Sequence, residues 1–353
     1  MKDDLLAKYL TLFLVFQILF VQVISRFPLT IEKFYSNGIY KIIAGFYRIA
    51  TSYIPFSIGD ILYFIFILIA IKFIYIVFRD KLSEIRSYLL AIGGAISVLY
   101  FFFYGSWGLN YYRLPLAERL QIEQTNYTTE ELSNYTKQTI HDINKLHIKL
   151  TSNDSVSFEV PYSKKEILKK TKLGYDQISK KHPFLKYRHP SIKSSLLSTP
   201  LTYMGFSGYL NPFTGEAQVN SKPPKFSLLF TASHEIAHQL GYAAENEANF
   251  IGYLASTSHP DPYFQLSGKM VAARYLLAEL HKRDVNEYQK ISKTINYGIL
   301  KKFKESREFW NQYENPFEPY FKKSYNVYLK ANKQKSGIKS YNYMVDLLLH
   351  YKE

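Results

Sequence analysis

The chain contains no cysteine among its 353 residues. That absence excludes disulfides, thiolate metal sites and cysteine nucleophiles, and it suits an oxidising compartment. Acidic residues are also scarce, 29 Asp+Glu against 44 Lys+Arg, for a net charge of +15. Such a balance favours a polyanionic surface such as anionic lipid. Nucleic acid is not expected as the partner: there is no zinc knuckle, no RNA-recognition aromatic signature and no compact basic helix-turn-helix. Internal repeats and long low-complexity linkers are missing too. The length therefore accommodates a membrane part plus one folded domain.

Three apolar runs fill the amino-terminal third, at residues 9–25, 61–78 and 88–104. Each approaches the roughly 17 to 25 residues that cross a bilayer as a helix. The first carries Gln17 and Gln22, the second Lys72, whose ammonium can snorkel toward the end marked by Arg79. No small-residue cleavage site follows the first run, so it reads as a span rather than a signal peptide. The loop Arg79-Asp80-Lys81-Leu82-Ser83-Glu84-Ile85-Arg86 and the amino terminus, with Lys2 and Lys8, concentrate positive charge and are expected on the cytoplasmic side. An amphipathic stretch at 35–53 is expected to lie along the outer interface. Residues 1–108 thus form a membrane region with three transmembrane helices. Residues 109–353 fall outside, which for a bacterium means a multi-pass inner-membrane protein with a periplasmic domain.

In that domain, Thr128 with Glu131 and Ser163 with Glu166 are capping boxes that open helices over 128–150 and 163–181. Residues 191–198, 203–210 and 216–220 read as strands, the last two joined through the turn Asn211-Pro212-Phe213-Thr214-Gly215. Glu216 reads as a surface glutamate at the turn end. A helix over 244–256 is stopped by His259-Pro260-Asp261-Pro262. From Gln265 onward the pattern is helical, with breaks near Asn315-Pro316 and Ser336-Gly337. Helices, a small sheet, then more helices make an α+β layout.

The segment His234-Glu235-Ile236-Ala237-His238 carries the chemistry. Histidines four apart lie one turn above each other on one helix face, so both can ligate one metal, with Glu235 between them as general base. With no cysteine to close a structural site, two His and one Glu with an open fourth position is the catalytic zinc pattern. Glu245 and Glu247 follow within reach, because Gly241 lets the chain reverse. They stand about 200° apart on a helix, so only one can face the metal. Glu245 pairs at i+4 with Asn249, a polar group able to orient a ligand histidine, and is favoured; Glu247 is the alternative third ligand. Tyr242, Tyr253, His259 and His281 are candidate oxyanion donors.

His234 to His238 followed by Glu245-Asn246-Glu247-Ala248-Asn249 resembles the gluzincin metallopeptidases, in which a Glu on the next helix completes the site. It is similar to the E-x-x-A-D version seen in membrane-embedded CAAX prenyl proteases and related heat-shock membrane proteases, with Asn249 where those enzymes have Asp and a short spacer before Glu245. Trp107-Gly108-Leu109-Asn110-Tyr111-Tyr112-Arg113, Pro212-Phe213-Thr214-Gly215-Glu216-Ala217 and Ser340-Tyr341 also resemble a set of bacterial membrane proteins of unassigned function. These have three spans ahead of an H-E-[LI]-A-H-Q domain. The resemblance implies a zincin-like domain, a Zn²⁺ cofactor on His234, His238 and Glu245, and a membrane-anchored metallopeptidase. That enzyme would hydrolyse peptide bonds in a peptide or protein substrate through zinc-activated water, with Glu235 as general base. The alternative reading is a non-catalytic, membrane-anchored zinc-binding or protein-interaction module that retains the fold.

Overall fold

The computed structural model describes residues 2–80, 82–123, 126–334 and 343–351. Lys81, Ser336-Gly337 and Ser340-Tyr341, which figured in the sequence reading, lie outside the described residues. The chain is mostly helical with one small mixed sheet. Among the described residues three helices are long and apolar enough to cross a membrane: Leu5–Ile24, within helix α1 (Lys2–Ile24), then α3 (Ile58–Arg79) and α4 (Ile85–Ser106). Between α1 and α3 come a π-helical stretch, Ile31–Ile39, and helix α2 (Tyr40–Ser52).

Helices α1 and α4 run parallel and in contact. Thr11 Oγ1 donates to the Leu90 carbonyl at 3.1 Å and Gln17 Nε2 to Ser97 Oγ at 3.3 Å. A Cβ at Gly93 would stand 2.6 Å from Thr11 Oγ1, so glycine is what lets the two helices close. The polar Gln17 is thereby accounted for: it is buried in this seam, where a hydrogen bond to another helix offsets the cost of a polar group in lipid. By contrast, none of the apolar window of α3 is buried against the rest of the chain.

The polar contacts of α3 gather at its first turn. Ser57 caps it by accepting from the Asp60 N–H at 2.9 Å. Glu216 accepts from the Gly59 N–H at 2.6 Å and the Ile58 N–H at 3.2 Å. Asp60 in turn accepts from the Leu196 N–H (2.7 Å), Ser195 Oγ (3.0 Å) and the Tyr209 hydroxyl. Two carboxylates at a helix amino terminus are favoured by the unpaired N–H groups and the dipole there. Glu216 is therefore not the surface residue expected at a turn end. It is fully buried, and Lys193 Nζ pairs with it at 2.5 Å while also donating to the Thr51 and Phe56 carbonyls.

Helices α5 (Thr129–Thr151) and α6 (Lys164–Lys181) begin at the two capping boxes, with both reciprocal bonds made in each. The strands are shorter than the sequence pattern suggests: β1 (Ile192–Ser194), β2 (Gly208–Leu210) and β3 (Ala217–Val219). Residues Ser198–Tyr203, between the two expected strands and including one end residue of each, are helical. Pro200 lies in the first turn, where a missing N–H costs nothing, and the Thr202 hydroxyl donates back to the Ser198 carbonyl at 2.7 Å. The sheet order is β1-β3-β2, with β1 parallel and β2 antiparallel to the central β3, so β2 is an edge.

Helices α7 (Lys225–Gln239), α8 (Glu245–Thr257), α9 (Pro262–Arg283), α10 (Tyr297–Asn311), α11 (Glu318–Ala331) and α12 (Tyr343–His350) complete the chain. A short helix, Val285–Ser292, breaks the run after α9 where Asp284 caps it, a stop not foreseen. The core lies where α7 and α8 meet α5, α6, α9 and α12. Ile140, Ile143, Ile167, Leu229, Ile236, Phe250, Phe264, Leu276 and Met344 are all fully or almost fully buried there. Glycines allow the helices to close: a Cβ at Gly174 would sit 2.2 Å from the Ala255 carbonyl oxygen, and one at Gly252 3.2 Å from the backbone of His234.

The Lys193–Glu216 pair generates a stability prediction. Lys193→Met leaves a buried carboxylate without its cation and is expected to cost about 3–5 kcal/mol. Lys193→Met/Glu216→Gln, which removes both charges, should recover part of that loss. Thermal unfolding of the full chain in detergent micelles measures both, and equal losses in the single and double variants would refute the pairing.

Candidate metal centre

The site forms where α7 ends and α8 begins. Helix α7 closes with the Gly241 N–H donating to the His238 carbonyl (2.8 Å) and the Tyr242 N–H to the Ala237 carbonyl (3.3 Å). That is the Schellman arrangement, and it needs a left-handed residue, supplied by Gly241 at φ +89°. The turn brings the Tyr242 carbonyl to 2.7 Å from His238 Nδ1. A carbonyl only accepts, so Nδ1 carries the hydrogen and Nε2 keeps its lone pair. Burial lowers the His238 pKa to about 4, which keeps the ring neutral.

His234 Nε2 lies 3.1 Å from His238 Nε2. Both face Glu245, whose Oε2 is 3.3 Å from His234 Nε2 and whose Oε1 is 3.7 Å from His238 Nε2. Burial alone would raise the Glu245 pKa, but the hydrogen bond to His234, the charge of that ring and the Tyr325 hydroxyl hold it down to about 2. His234 responds in the opposite sense. Burial disfavours its charge, yet Glu245, Glu235 and a hydrogen bond involving Asn249 together raise its pKa. The ligand atoms of His234, His238 and Glu245 all fall within 4.8 Å of one another, so the three could hold one metal ion. The donor set fits a divalent ion: two lone pairs and a carboxylate converge. Nδ1 of His234 and Oε2 of Glu235 are buried with no protein hydrogen-bond partner among the described residues.

Glu247 is turned away. Its Oε1 accepts from the Leu116 N–H at 2.7 Å. Burial pushes its pKa up to about 7 against the opposing Leu116 hydrogen bond and Arg113 charge. The roughly 200° between Glu245 and Glu247 has this physical outcome: one carboxylate meets the histidines, the other the segment after α4. Asn249 stands beside His234 and donates to the Tyr275 hydroxyl at 3.2 Å.

Glu235 lies on the other flank of the histidines, against the edge strand. A Cβ at Gly208 would come within 2.5 Å of Glu235 Oε1, so glycine is what lets β2 pass over the carboxylate. Burial pushes the Glu235 pKa up to about 8, with His234 lowering it and Glu245 raising it.

The cluster opens into a cleft of about 1620 Å³, lined near the histidines by Trp107, Tyr111, Tyr209, Phe230, Tyr325 and Tyr328. Trp107, the residue after α4, meets the His238 ring edge-on at 6.1 Å. Tyr325, on α11, donates to Glu245 Oε1 at 2.5 Å. Tyr328, one turn on, bonds the Tyr111 hydroxyl at 3.1 Å. None of these aromatics was singled out from sequence as part of the site, because 32 tyrosines offer no contrast and the contacts join distant segments.

The proposed oxyanion donors are mostly elsewhere. Tyr242 is buried with the Arg113 guanidinium 4.2 Å over its ring. Tyr253 is buried in α8. His259 is buried, stacked on Phe264 at 3.9 Å and bonded to the Lys170 carbonyl, which is a structural role. His281 lines the cleft, with the Tyr288 ring edge-on against it at 4.8 Å.

Residues 35–349 match the profile of a family described as "Protein of unknown function (DUF3810)". No curated protein and no solved structure matches the chain.

The two glutamates give a direct contrast. Glu245→Gln is expected to weaken metal binding by more than about 100-fold, while Glu247→Gln, which keeps an acceptor for Leu116, stays within about threefold. Competition titration of the full chain against a chelator measures both. Equal losses would show that Glu247 takes part.

Proposed function

The chain belongs to the DUF3810 family of proteins of unknown function, and from the geometry of its own site we propose that it is a membrane-anchored, zinc-dependent metallopeptidase of zincin-like construction. One observation carries the reading. Two imidazole Nε2 atoms 3.1 Å apart face a carboxylate held in its charged form, with a second, buried carboxylate beside them, all opening on a cleft. Three protein ligands and access to a cleft favour a catalytic over a structural site.

His234, His238 and Glu245 would hold Zn²⁺. Bound there, the ion would act as a Lewis acid toward a peptide carbonyl and a water. Glu235 is favoured as the carboxylate by the cation that His234, His238 and Glu245 would hold. It then takes a proton from the water as the water oxygen bonds to the carbonyl carbon, and returns that proton to the amine nitrogen as the C–N bond breaks. The Tyr242 carbonyl holds His238 in the tautomer whose Nε2 points into the cluster. The Tyr325 hydroxyl, which donates to Glu245 Oε1, reaches the same region and is a candidate donor to a developing oxyanion. Strand β2, an edge beside Glu235, suits an extended substrate paired as an added strand.

Orientation follows from charge. The carboxyl ends of α1 and α4 and the amino end of α3 all meet the domain. The opposite end carries Arg79 and Arg86 in a short loop. Positive charge in short loops stays cytoplasmic, so the domain would face the periplasm of a bacterial inner membrane.

Glu235→Gln tests the mechanism in the full chain. Zinc content by mass spectrometry should match the parent, while cleavage of a peptide pool falls about 10²–10⁴-fold. A parent that binds zinc and cuts nothing would instead support the non-catalytic binding module. A folded parent that binds no metal would sink both.

A further inference from the structure

The hairpin that carries β2 does not stay in the domain. Leaving Gly208 beside Glu235, the chain passes Tyr209, whose hydroxyl bonds Asp60 in the first turn of α3 and whose ring stacks on Tyr63 at 5.9 Å. The hairpin tip then continues down the span. Phe213 packs edge-on against Tyr63 at 6.4 Å and Phe66 at 5.9 Å. Phe66 lies eight residues beyond Ile58, hence about 12 Å along the helix axis. On its other side the tip is fixed to α4, where Ser106 Oγ donates to the Pro212 carbonyl at 2.6 Å. The tip is thus wedged between two membrane helices, some two turns below the start of α3.

The metal cluster adjoins the end of the third span. Trp107, against His238, directly follows the last residue of the third span. Helix α11, which brings Tyr325 to Glu245, rests on the end of the same span. The Tyr328 ring meets Phe103 at 6.2 Å, and the Tyr104 hydroxyl donates to Asn332 Oδ1 at 3.0 Å. None of the apolar window of α3 is buried against the rest of the chain, so beyond the hairpin tip this span is free to face lipid.

We propose that the substrate is a membrane-anchored polypeptide cut within a few residues of its hydrophobic anchor. The proposal rests on the hydrolase reading above. A strand added to the edge of β2 would lie over Glu235 at Gly208 and run along the hairpin toward Phe213. Phe213 is five residues further on, a reach of at most about 17 Å in extended chain. The end of such a strand meets the bilayer beside α3, where an anchor is accommodated and a soluble chain would have to bury polar backbone. A transmembrane helix and an acyl chain offer the same chemistry here, so the test carries both.

The experiment uses the full chain with Glu235→Gln in lipid nanodiscs loaded with zinc, bearing a benzophenone side chain in place of Leu210, a cleft-lining residue of β2. The probes are a short degenerate peptide pool presented in four forms. It is joined directly to a roughly 20-residue Leu/Ala helix, joined directly to a palmitoyl chain, joined to that helix through a flexible spacer of about 15 residues, or left unanchored. Photo-crosslinking yield should be at least about tenfold higher for one or both directly anchored forms than for the other two. The two direct forms distinguish helix from acyl anchor. The spacer form separates this geometry from mere concentration at the membrane. Equal capture of spacer-borne or unanchored peptide, or capture of no probe, overturns the proposal. The parent enzyme is then given the captured form, and its cuts are expected within about five residues of the anchor. Capture without any cut removes the hydrolase reading while leaving the anchored partner in place. Cuts that follow sequence regardless of distance from the anchor overturn the proposal and leave the hydrolase reading standing.

Discussion

The carboxyl end of α7 is the joint on which the molecule turns. A helix leaves its last carbonyls unpaired, and buried carbonyls must find donors. Here the donors come largely from the membrane region. Arg48 on α2 reaches the Gln239 carbonyl at 3.0 Å, as does the Tyr40 hydroxyl. Arg113, just past α4, donates to the Gly241 carbonyl at 2.8 Å. Cations at a helix carboxyl end are also favoured by its dipole. The same turn aims the Tyr242 carbonyl at His238 and delivers Glu245 to both histidines. Ligand geometry and membrane attachment therefore share a few backbone atoms.

The chain's charges reinforce that joint rather than only decorating its surface. Glu32, in the π-helical stretch, takes two bonds from Arg113 and a third from Arg119. Arg113 in turn covers Tyr242. Lys193, Glu216 and Asp60 do the same work at the amino end of α3. Buried pairs of this kind gain little net stability over apolar packing, because desolvation offsets attraction. Their effect is on geometry: a carboxylate with several directional donors tolerates few alternative positions. Glu216, with two N–H donors, a hydroxyl and an ammonium, fixes where α3 starts.

What the sequence disclosed divides by distance along the chain. Capping boxes, apolar runs and the i, i+4 histidines are local patterns, and the structure contains all of them. The opposition of Glu245 and Glu247 was legible from helix geometry, and the Asn249 contact supplied a reason to prefer Glu245. The inward face of α2 was not legible. Its amphipathicity showed, with Ile42, Phe46 and Tyr53 exposed on the outer side, but its partners lie some 190 positions away. Glu216 was misread for the same reason: a glutamate after a turn reads as exposed unless Lys193 and the start of α3 are known to meet it. The strand-like pattern over 203–210 overran: Tyr203 ends a helical turn, and only Gly208–Leu210 find a partner in β3, which lies on the far side of the turn. Tyr325 could not be distinguished among so many tyrosines.

A boundary drawn after residue 108 separates composition but not mechanics. Trp107 lies against His238, Tyr40 and Arg48 hold the end of α7, and the tip of the β2–β3 hairpin is lodged between α3 and α4. Removing the first 108 residues would expose the carbonyl end of the histidine helix and release the strand that passes over Glu235. A rigid soluble domain merely tethered to lipid would need none of these contacts. Since a site must be held to within a fraction of an ångström by its supporting groups, and those groups here belong to membrane helices and their flanks, the unit that carries the metal cluster is the domain together with its spans.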